Sequence, residues 1–342
     1  MKSRATSFDI AYQAGVSQST VSRALRDSPL VNLETRLKIQ KIAKELNYKV
    51  DKNASNLRSQ HTGTLALLLF EDPTSDDSQI NPFFLSMLGS ITHASARYGY
   101  DLLVSFQQLS NDWHADYEDS HKADGLILLG YGDYVEYEEK LLKLVEQNTH
   151  FVRWGAVLEG QPGISIGCDN LLGGYQMAQH LLSQGRQKFA FLGGASSHCP
   201  EFLERFEGMN KALDESVQPV NLVSQIDAIS TEESGFDAAT KLLASGVEFD
   251  AIFCASDLIA MGAIRALREK EIAIPQQVSV GGFDDLPMAS FCNPSLTTIS
   301  QNTKSAGEVL VATLLSMIKH EEVHPQRLPT SLVIRNSCGG EV

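Results

Sequence analysis

From residue 62 to residue 285, short apolar segments alternate with longer segments whose apolar residues recur every three or four positions. The short segments are typical of strands buried on both faces, and the longer ones of the helices that cover such strands. The alternation predicts parallel sheets with helices on both sides. About 280 residues are too many for one such sheet, so we expect an α/β body of two doubly wound lobes.

We place the first lobe at about residues 61–161 and 292–321, and the second at about residues 162–291 and 322–338. In doubly wound sheets, ligands bind beyond the carboxyl ends of the strands. The cleft between the two lobes is therefore the predicted binding site for a small molecule.

The first sixty residues differ in charge from the rest of the chain. They contain 11 lysine and arginine residues against 5 aspartate and glutamate residues, a net charge of +6, whereas the remainder carries −20. A basic head on an acidic body is typical of a module that binds a polyanion. A basic surface without function is the alternative.

The basic segment has the pattern of a helix-turn-helix. Thr6 is suited to cap a first short helix, Gly15 to end it, and Ser17 to cap a second helix, with a third amphipathic pattern from Asn32. The second helix of such a motif enters the major groove of DNA. Its predicted outward residues are Gln18, Ser19, Ser22 and Arg23, and the stretch AGVSQSTVSRAL (14–25) contains no carboxylate. A helical hairpin that only packs is the alternative.

Residues 6–48 resemble the headpiece of the LacI/GalR family of transcriptional regulators, through AGVS (14–17), TVSR (20–23) and ELNY (45–48). The resemblance implies that Gln18 and Ser19 select the operator sequence and that Arg23 contacts the DNA. Together, the residues that we predict to contact DNA are Thr6, Ser17, Gln18, Ser19, Thr20, Ser22, Arg23, Asn32, Tyr48, Ala54 and Leu57.

After the headpiece (1–48), the family has a hinge helix, which corresponds to residues 49–60 here. The resemblance implies that Leu57 enters the minor groove and that Ala54 is the small residue before it. The chain departs from the family pattern at Val50, Asp51 and Ser55. A disordered linker is the alternative for this segment.

The body (61–342), which we predict to bind the effector and to dimerise, carries further landmarks of the family, among them NPFF (81–84), ASD (255–257) and GFDD (282–285). The resemblance implies a body like that of periplasmic sugar-binding proteins. It also implies that Arg205, Ser256 and Asp284 contact the effector and that Phe83 and Phe84 line the cleft.

Trp154 and Asp257 are further candidates for effector binding. Carboxylates, a guanidinium group and aromatic faces suit a polyol. For four of the candidates a structural role is the alternative: Asp257 as the N-cap of a helix that begins at Leu258, Phe84 and Trp154 as core residues, and Arg205 as an exposed helix charge. Near Ser230 many relatives have an aromatic residue against the ligand, but this chain has none, so the resemblance does not identify the effector. A nucleoside or purine stacked on Phe83 or Phe84 is the alternative to a sugar.

Other function classes are disfavoured. GISIG (163–167) matches the G-x-S-x-G pattern of esterases, but Ser165 is predicted in mid-strand and not at a strand-to-helix corner. We therefore expect no catalytic residue, no metal and no cofactor. Five widely spaced cysteines indicate reduced thiols in the cytoplasm. A secreted solute-binding protein, the more distant alternative, would need a signal peptide, and the N-terminal segment lacks the apolar core of one.

We thus predict a cytoplasmic homodimer that binds a pseudo-palindromic operator as a repressor of carbohydrate genes. A sugar-like effector in the cleft is expected to rotate the first lobes against each other and so to change operator affinity through the hinge.

Overall fold

The computed structural model describes residues 5–48, 61–70, 80–107, 112–130 and 133–339. The chain divides into two compact units, Met1–Thr62 and Gly63–Val342. The predicted hinge residues Ala54 and Leu57 lie outside the described residues.

The first unit is a bundle of three helices, α1 (Ser7–Ala14), α2 (Gln18–Leu25) and α3 (Leu33–Glu45). Thr6 and Asp9 form a reciprocal capping box at the start of α1. Gly15 ends α1 with a φ of 71°, a left-handed conformation that glycine adopts without steric cost. The helices share a small apolar core that includes Ile10, Val21 and Ile39.

The second unit contains two six-stranded sheets. The first sheet, which defines the first lobe, has the order β11-β5-β4-β3-β1-β2 and is formed by β1 (Thr64–Leu69), β2 (Asp101–Phe106), β3 (Leu126–Leu129), β4 (Phe151–Trp154), β5 (Ile164–Cys168) and β11 (Gln326–Leu328). The second sheet, which defines the second lobe, has the order β12-β10-β9-β8-β6-β7 and is formed by β6 (Lys188–Leu192), β7 (Asn221–Ile226), β8 (Ala251–Cys254), β9 (Ser279–Asp284), β10 (Thr297–Gln301) and β12 (Thr330–Val333). Among the described residues, strand pairing is parallel except between β10 and β12.

The helices of this unit are α4 (Pro82–Arg97), α5 (Tyr134–Glu146), α6 (Asn170–Ser183), α7 (Pro200–Asp214), α8 (Glu232–Ala244), α9 (Asp257–Glu269) and α10 (Thr303–Ile318). Polar side chains accept hydrogen bonds from the first turns of most of them, namely those of Asn81, Asp133, Asp169, Thr231, Ser256 and Asn302. A six-residue π-helix (His114–Asp119) was not predicted. Within the described ranges, no helix is both long and apolar enough to cross a membrane.

The predicted division of strands between the lobes is wrong at three places. β5 pairs with β4 in the first sheet, β10 pairs with β9 in the second, and β11 pairs with β5 in the first. The chain therefore changes lobes after β5, after β10 and between β11 and β12. Apolar patterning predicts most of the strands but not the short β11, and sheet membership depends on backbone pairing between segments far apart in sequence.

Helices α6 and α7 pack in direct backbone contact, and this contact positions the second lobe's site. A Cβ atom at Gly174 would lie 2.0 Å from the carbonyl oxygen of Arg205, and one at Gly208 would lie 2.0 Å from that of Leu171. Only glycine fits between the helices at these two positions.

We expect Gly174→Ala to lower the free energy of unfolding by ~1–3 kcal/mol or more, because the added methyl group must push α6 away from α7. The control is Gly89→Ala in α4, where an added Cβ meets no atom within 4 Å. That variant should be as stable as the wild type or slightly more stable, because alanine favours helix by ~0.5–1 kcal/mol. Urea unfolding of the full chain measures both, and equal midpoints would contradict the packing argument.

Candidate DNA-binding surface and effector cleft

Helix α2 presents a polar surface that its own first turn orders. The Ser17 hydroxyl caps the helix by accepting from the Thr20 amide at 3.2 Å, and it lies 2.8 Å from the Ser19 hydroxyl. Gln18 Nε2 donates to Ser7 Oγ of α1 at 2.8 Å. Ser19 and Arg23 are exposed, whereas Gln18 and Ser22 are half-buried. The side chains predicted to contact bases therefore lie on one short, well-capped helix.

The charge of this surface favours a polyanion. Helix α2 has no carboxylate, and three carboxylates elsewhere in the headpiece are engaged. Hydrogen bonds from Thr6 lower the pKa of Asp9, Arg36 lies 3.8 Å from Asp27, and Lys41 lies 4.0 Å from Glu45. The cationic partners offset the charges of Asp27 and Glu45, whereas Asp9 stays ionised.

The remaining predicted DNA contacts in the headpiece have structural roles as well. Thr6 and Asn32 cap α1 and α3, and Thr20 Oγ1 lies 2.9 Å from the Ser17 hydroxyl. Tyr48 packs against the apolar core of the three helices. Contact with DNA stays a prediction for all of these residues.

In the second unit, Arg205 is the centre of the predicted cleft and is 1% exposed, so the alternative of an exposed helix charge is wrong. Its Nε donates to Asn170 Oδ1 at 2.9 Å, and NH1 donates to the carbonyl oxygen of Ala255. Its guanidinium carbon lies 3.7 Å from the centre of the Phe283 ring, a cation–π contact. NH1 also lies 3.8 Å from Asp284 Oδ1. Arg205 is thus fixed by α6, β8 and β9 at once.

Asp284 ends β9 with one carboxylate oxygen bonded and the other available. Oδ1 accepts from Gln301 Nε2 at 2.6 Å, whereas Oδ2 is buried without a hydrogen-bond partner among the described residues. Burial raises the pKa of Asp284 to about 7, although Arg205 and Gln301 both lower it. In the part of the chain that the structure describes, Gln301 Oε1 is likewise buried without a hydrogen-bond partner. A ligand hydroxyl is the kind of group that would satisfy these oxygens.

The structure corrects the predicted role of Asp257 as a helix cap. Ser256, not Asp257, caps α9, because its hydroxyl accepts from the amide of Ile259. Asp257 is the first residue of the helix and is completely buried. Its Oδ1 accepts from Thr298 Oγ1 at 2.5 Å and its Oδ2 from the Leu286 amide at 2.7 Å. With both oxygens bonded to β10 and to the segment after β9, Asp257 stabilises the second lobe from inside.

Three aromatic residues that we predict to line the first lobe's side of the cleft lie close together. Phe83 and Phe84 lie in the first turn of α4 with ring centres 5.3 Å apart, and Phe83 is 6.2 Å from Trp154. All three belong to the apolar core as well. The structure therefore shows core packing for all three, and ligand contact stays a prediction.

Sequence reasoning missed the polar link between the lobes. Asn81 Nδ2 donates to Ser230 Oγ at 3.2 Å, and Ser230 Oγ donates to Ser256 Oγ at 2.9 Å. The asparagine lies in the NPFF segment (81–84) directly before the proline that begins α4. Among the described residues, no group of three or more histidine, cysteine, aspartate or glutamate side chains is arranged to hold a metal ion.

Comparison with known proteins connects both units to one group. Residues 8–51 match the family described as bacterial regulatory proteins, lacI family, and residues 178–338 match the periplasmic binding protein-like domain. RegA of Clostridium saccharobutylicum, an HTH-type transcriptional regulator, is 31% identical over 324 residues, which cover 92% of this chain and 93% of RegA.

Other relatives are similar along nearly their whole length. The ribose operon repressor of Escherichia coli strain K12 is 28% identical to this chain, and the match covers 96% of this chain and 98% of the repressor. PurR of Histophilus somni strain 2336 is also 28% identical, and the match covers 97% of this chain and 98% of PurR. The lac repressor dimer bound to operator and to the anti-inducer ONPF superimposes with a TM-score of 0.82 at 25% identity, covering 98% of this chain and 99% of that one.

The raised pKa of Asp284 predicts a pH-dependent stability. Between its ordinary pKa of 3.8 and its folded value of about 7, the folded protein keeps a proton that the unfolded chain has lost. The stabilising contribution is complete at low pH and is lost as the pH rises through 7. Asp284→Asn keeps the acceptor for Gln301 but cannot titrate. Relative to wild type, its melting temperature should therefore rise between pH 5 and pH 8.

The control for this measurement is Asp237→Asn at an exposed position of α8. Its melting temperature should differ from that of the wild type by the same amount at both pH values. The same constant difference for Asp284→Asn would contradict the assignment of a proton to Asp284.

Proposed function

Because the chain belongs to the LacI family of bacterial transcriptional regulators, we propose that it is a repressor whose operator affinity depends on a small effector bound between its lobes. The observation that carries the proposal is α2, a capped helix whose exposed face has Ser19 and Arg23 and no carboxylate. A helix with these properties can approach phosphates and place short polar side chains against base edges.

One headpiece recognises one half-site, so specific binding needs two copies related by a two-fold axis. The lac repressor, whose fold this chain shares, binds its operator as a dimer. We propose the same arrangement here, a homodimer on a pseudo-palindromic operator. A role on chromosomal DNA implies a cytoplasmic protein, and we propose no catalytic step.

A sugar is the effector class that the cleft favours. Arg205 supplies donors, Asp284 Oδ2 and Gln301 Oε1 supply unpaired acceptors, and Phe83 and Trp154 supply apolar faces. This combination suits the hydroxyls and C–H faces of a polyol. The ribose operon repressor is among the relatives. A purine is the second candidate, since PurR is a relative and the aromatic cluster could stack on a base.

The effector acts on the operator only if it binds two conformations of the repressor with unequal affinity. Asn81 and Ser230 join the lobes directly in the conformation described here. A ligand that changes this junction changes the relative stability of the two conformations and with it the affinity for DNA.

Selection of preferred sequences from a random DNA library tests base recognition by α2. We expect Gln18→Ala and Ser19→Ala to change the preferred base at defined positions of each half-site, with losses of ~1–3 kcal/mol on the original site. The control is Gln13→Ala, on the exposed face of α1. It should leave the base preference unchanged. A uniform loss of affinity on all sequences with the α2 variants would argue against base contacts.

A thermal-shift screen of the full chain with sugars, sugar acids, sugar phosphates and nucleosides tests the cleft, because a bound ligand stabilises the native state. With whichever compound raises the melting temperature, Asp284→Asn should weaken binding ~10- to 100-fold at pH 8, because the Asp284 carboxylate is ionised above its pKa of about 7 and a hydrogen bond to a charged group has this value. Operator binding without effector should be unchanged. Asp237→Asn again serves as the control, and an unaltered titration by Asp284→Asn would place the ligand elsewhere.

A further inference from the structure

Gln18, the first residue of α2, is held by a side chain of α1. Its Nε2 donates a hydrogen bond at 2.8 Å to the hydroxyl oxygen of Ser7, the first residue of α1. Both residues are half-buried, and the two helices pack on one apolar core that includes Ile10 and Val21. The Gln18 amide is therefore restricted in orientation by the headpiece itself, because turning the amide over would take Nε2 away from the Ser7 hydroxyl.

Ser7 does not cap α1. The cap is Thr6, whose hydroxyl accepts from the Asp9 amide, while the Asp9 carboxylate accepts from the Thr6 amide at 2.7 Å. Among the described residues, the side-chain hydrogen bond of Ser7 is the one from Gln18. Replacing Ser7 should therefore leave the capping box, and with it the helix, in place.

The bond to Ser7 determines what the Gln18 amide can offer to a base. A glutamine amide has two N–H donors and one carbonyl acceptor, and Ser7 takes one of the donors. The other N–H and Oε1 make no hydrogen bond with the described residues. One donor beside one acceptor matches adenine, which presents N7 as acceptor and the N6 amino group as donor in the major groove. Guanine presents two acceptors there, O6 and N7, and would need both N–H groups of Gln18.

Ser19, the neighbouring candidate for base contact, is not restricted in this way. Its hydroxyl lies 2.8 Å from Ser17 Oγ, which also lies 2.9 Å from Thr20 Oγ1. A hydroxyl both donates and accepts and rotates to suit its partner, so Ser19 can bond to donors and to acceptors of the bases. We therefore expect the choice of base to be sharper at the position that Gln18 contacts.

We propose that Ser7 is a positioning residue for operator recognition, which fixes the Gln18 amide so that Gln18 binds an adenine in each half-site. The inference rests on the proposed function, because it assumes that α2 lies in the major groove of the operator. Ser7 acts through Gln18: its hydroxyl occupies one N–H group, and the remaining N–H and Oε1 meet N7 and the N6 amino group of the base.

The test begins with selection of sites from a random double-stranded DNA library by the full chain. The position that loses its preference in Gln18→Ala is the one that Gln18 contacts. With the wild type we expect adenine there, bound ~5- to 150-fold tighter than guanine. Ser7→Ala should lower this ratio ~2- to 10-fold, because the amide is then free to turn over. Ser7→Thr, which keeps a hydroxyl, should retain the ratio.

The matched control is Ser28→Ala. The Ser28 hydroxyl accepts from the Leu30 amide at 3.4 Å and has no contact with Gln18. Its removal should leave the preferred base unchanged at every position of the half-site. A uniform loss of affinity in Ser7→Ala on all sequences, together with a lower melting temperature, would make Ser7 a structural residue and overturn the proposal.

Two further measurements separate positioning from direct contact. In Gln18→Ala, the additional change Ser7→Ala should alter no base preference, because Ser7 acts only through Gln18. An altered preference would show that Ser7 contacts DNA itself and would overturn the positioning role. An operator with 7-deazaadenine at this position lacks N7 and should bind the wild type ~2- to 10-fold more weakly, but Gln18→Ala equally well. Equal binding by the wild type would overturn the bidentate contact.

The remaining outcomes also decide. A preference for guanine or a pyrimidine at this position, or an unchanged ratio in Ser7→Ala, would overturn the inference. So would a Gln18→Ala variant in which no position loses its preference. Each of these results leaves the proposed function in place, because the wild type still selects a defined site. If the wild type selects no sequence, the proposed function itself fails, and the inference fails with it.

Discussion

The predicted site in the second lobe depends on the contacts that hold the buried guanidinium of Arg205. It is held against the Phe283 ring and bonded to Asn170 and to the carbonyl oxygen of Ala255, so three elements converge on one cation. Its charge lowers the pKa of the neighbouring Asp284, which burial alone would raise further. Removing the cation would leave a buried carboxylate without its compensating charge, which explains why the two groups are expected to act as one unit.

The position of the Arg205 guanidinium depends on helix packing and on polar groups that hold its partner Asn170. Asn170 Nδ2 donates to Glu204 Oε2 at 3.2 Å, and Arg327 NH2 lies 3.4 Å from Glu204 Oε1. Burial raises the pKa of Glu204, whereas Asn170 and Arg327 lower it. The direct contact of α6 with α7 at Gly174 brings Asn170 and Arg205 to hydrogen-bond distance. Close packing of α6 on α7 is thereby combined with buried oxygens of Asp284 and Gln301 that have no hydrogen-bond partner among the described residues.

The sequence by itself determined the local features. Caps at Thr6 and Ser17, the glycine turn at Gly15 and the alternation of strands and helices depend on neighbouring residues, and the structure has these elements within a few positions of the prediction. The family motifs predicted that Arg205 and Asp284 belong to one site, and in the structure Arg205 NH1 lies 3.8 Å from Asp284 Oδ1.

Only the tertiary structure decided which sheet received β5 and β10 and whether Asp257 faced a ligand or the interior. Each of these depends on pairing or burial between segments far apart in the chain. Apolar periodicity cannot report such contacts, because it records which residues avoid water and not which partners they meet.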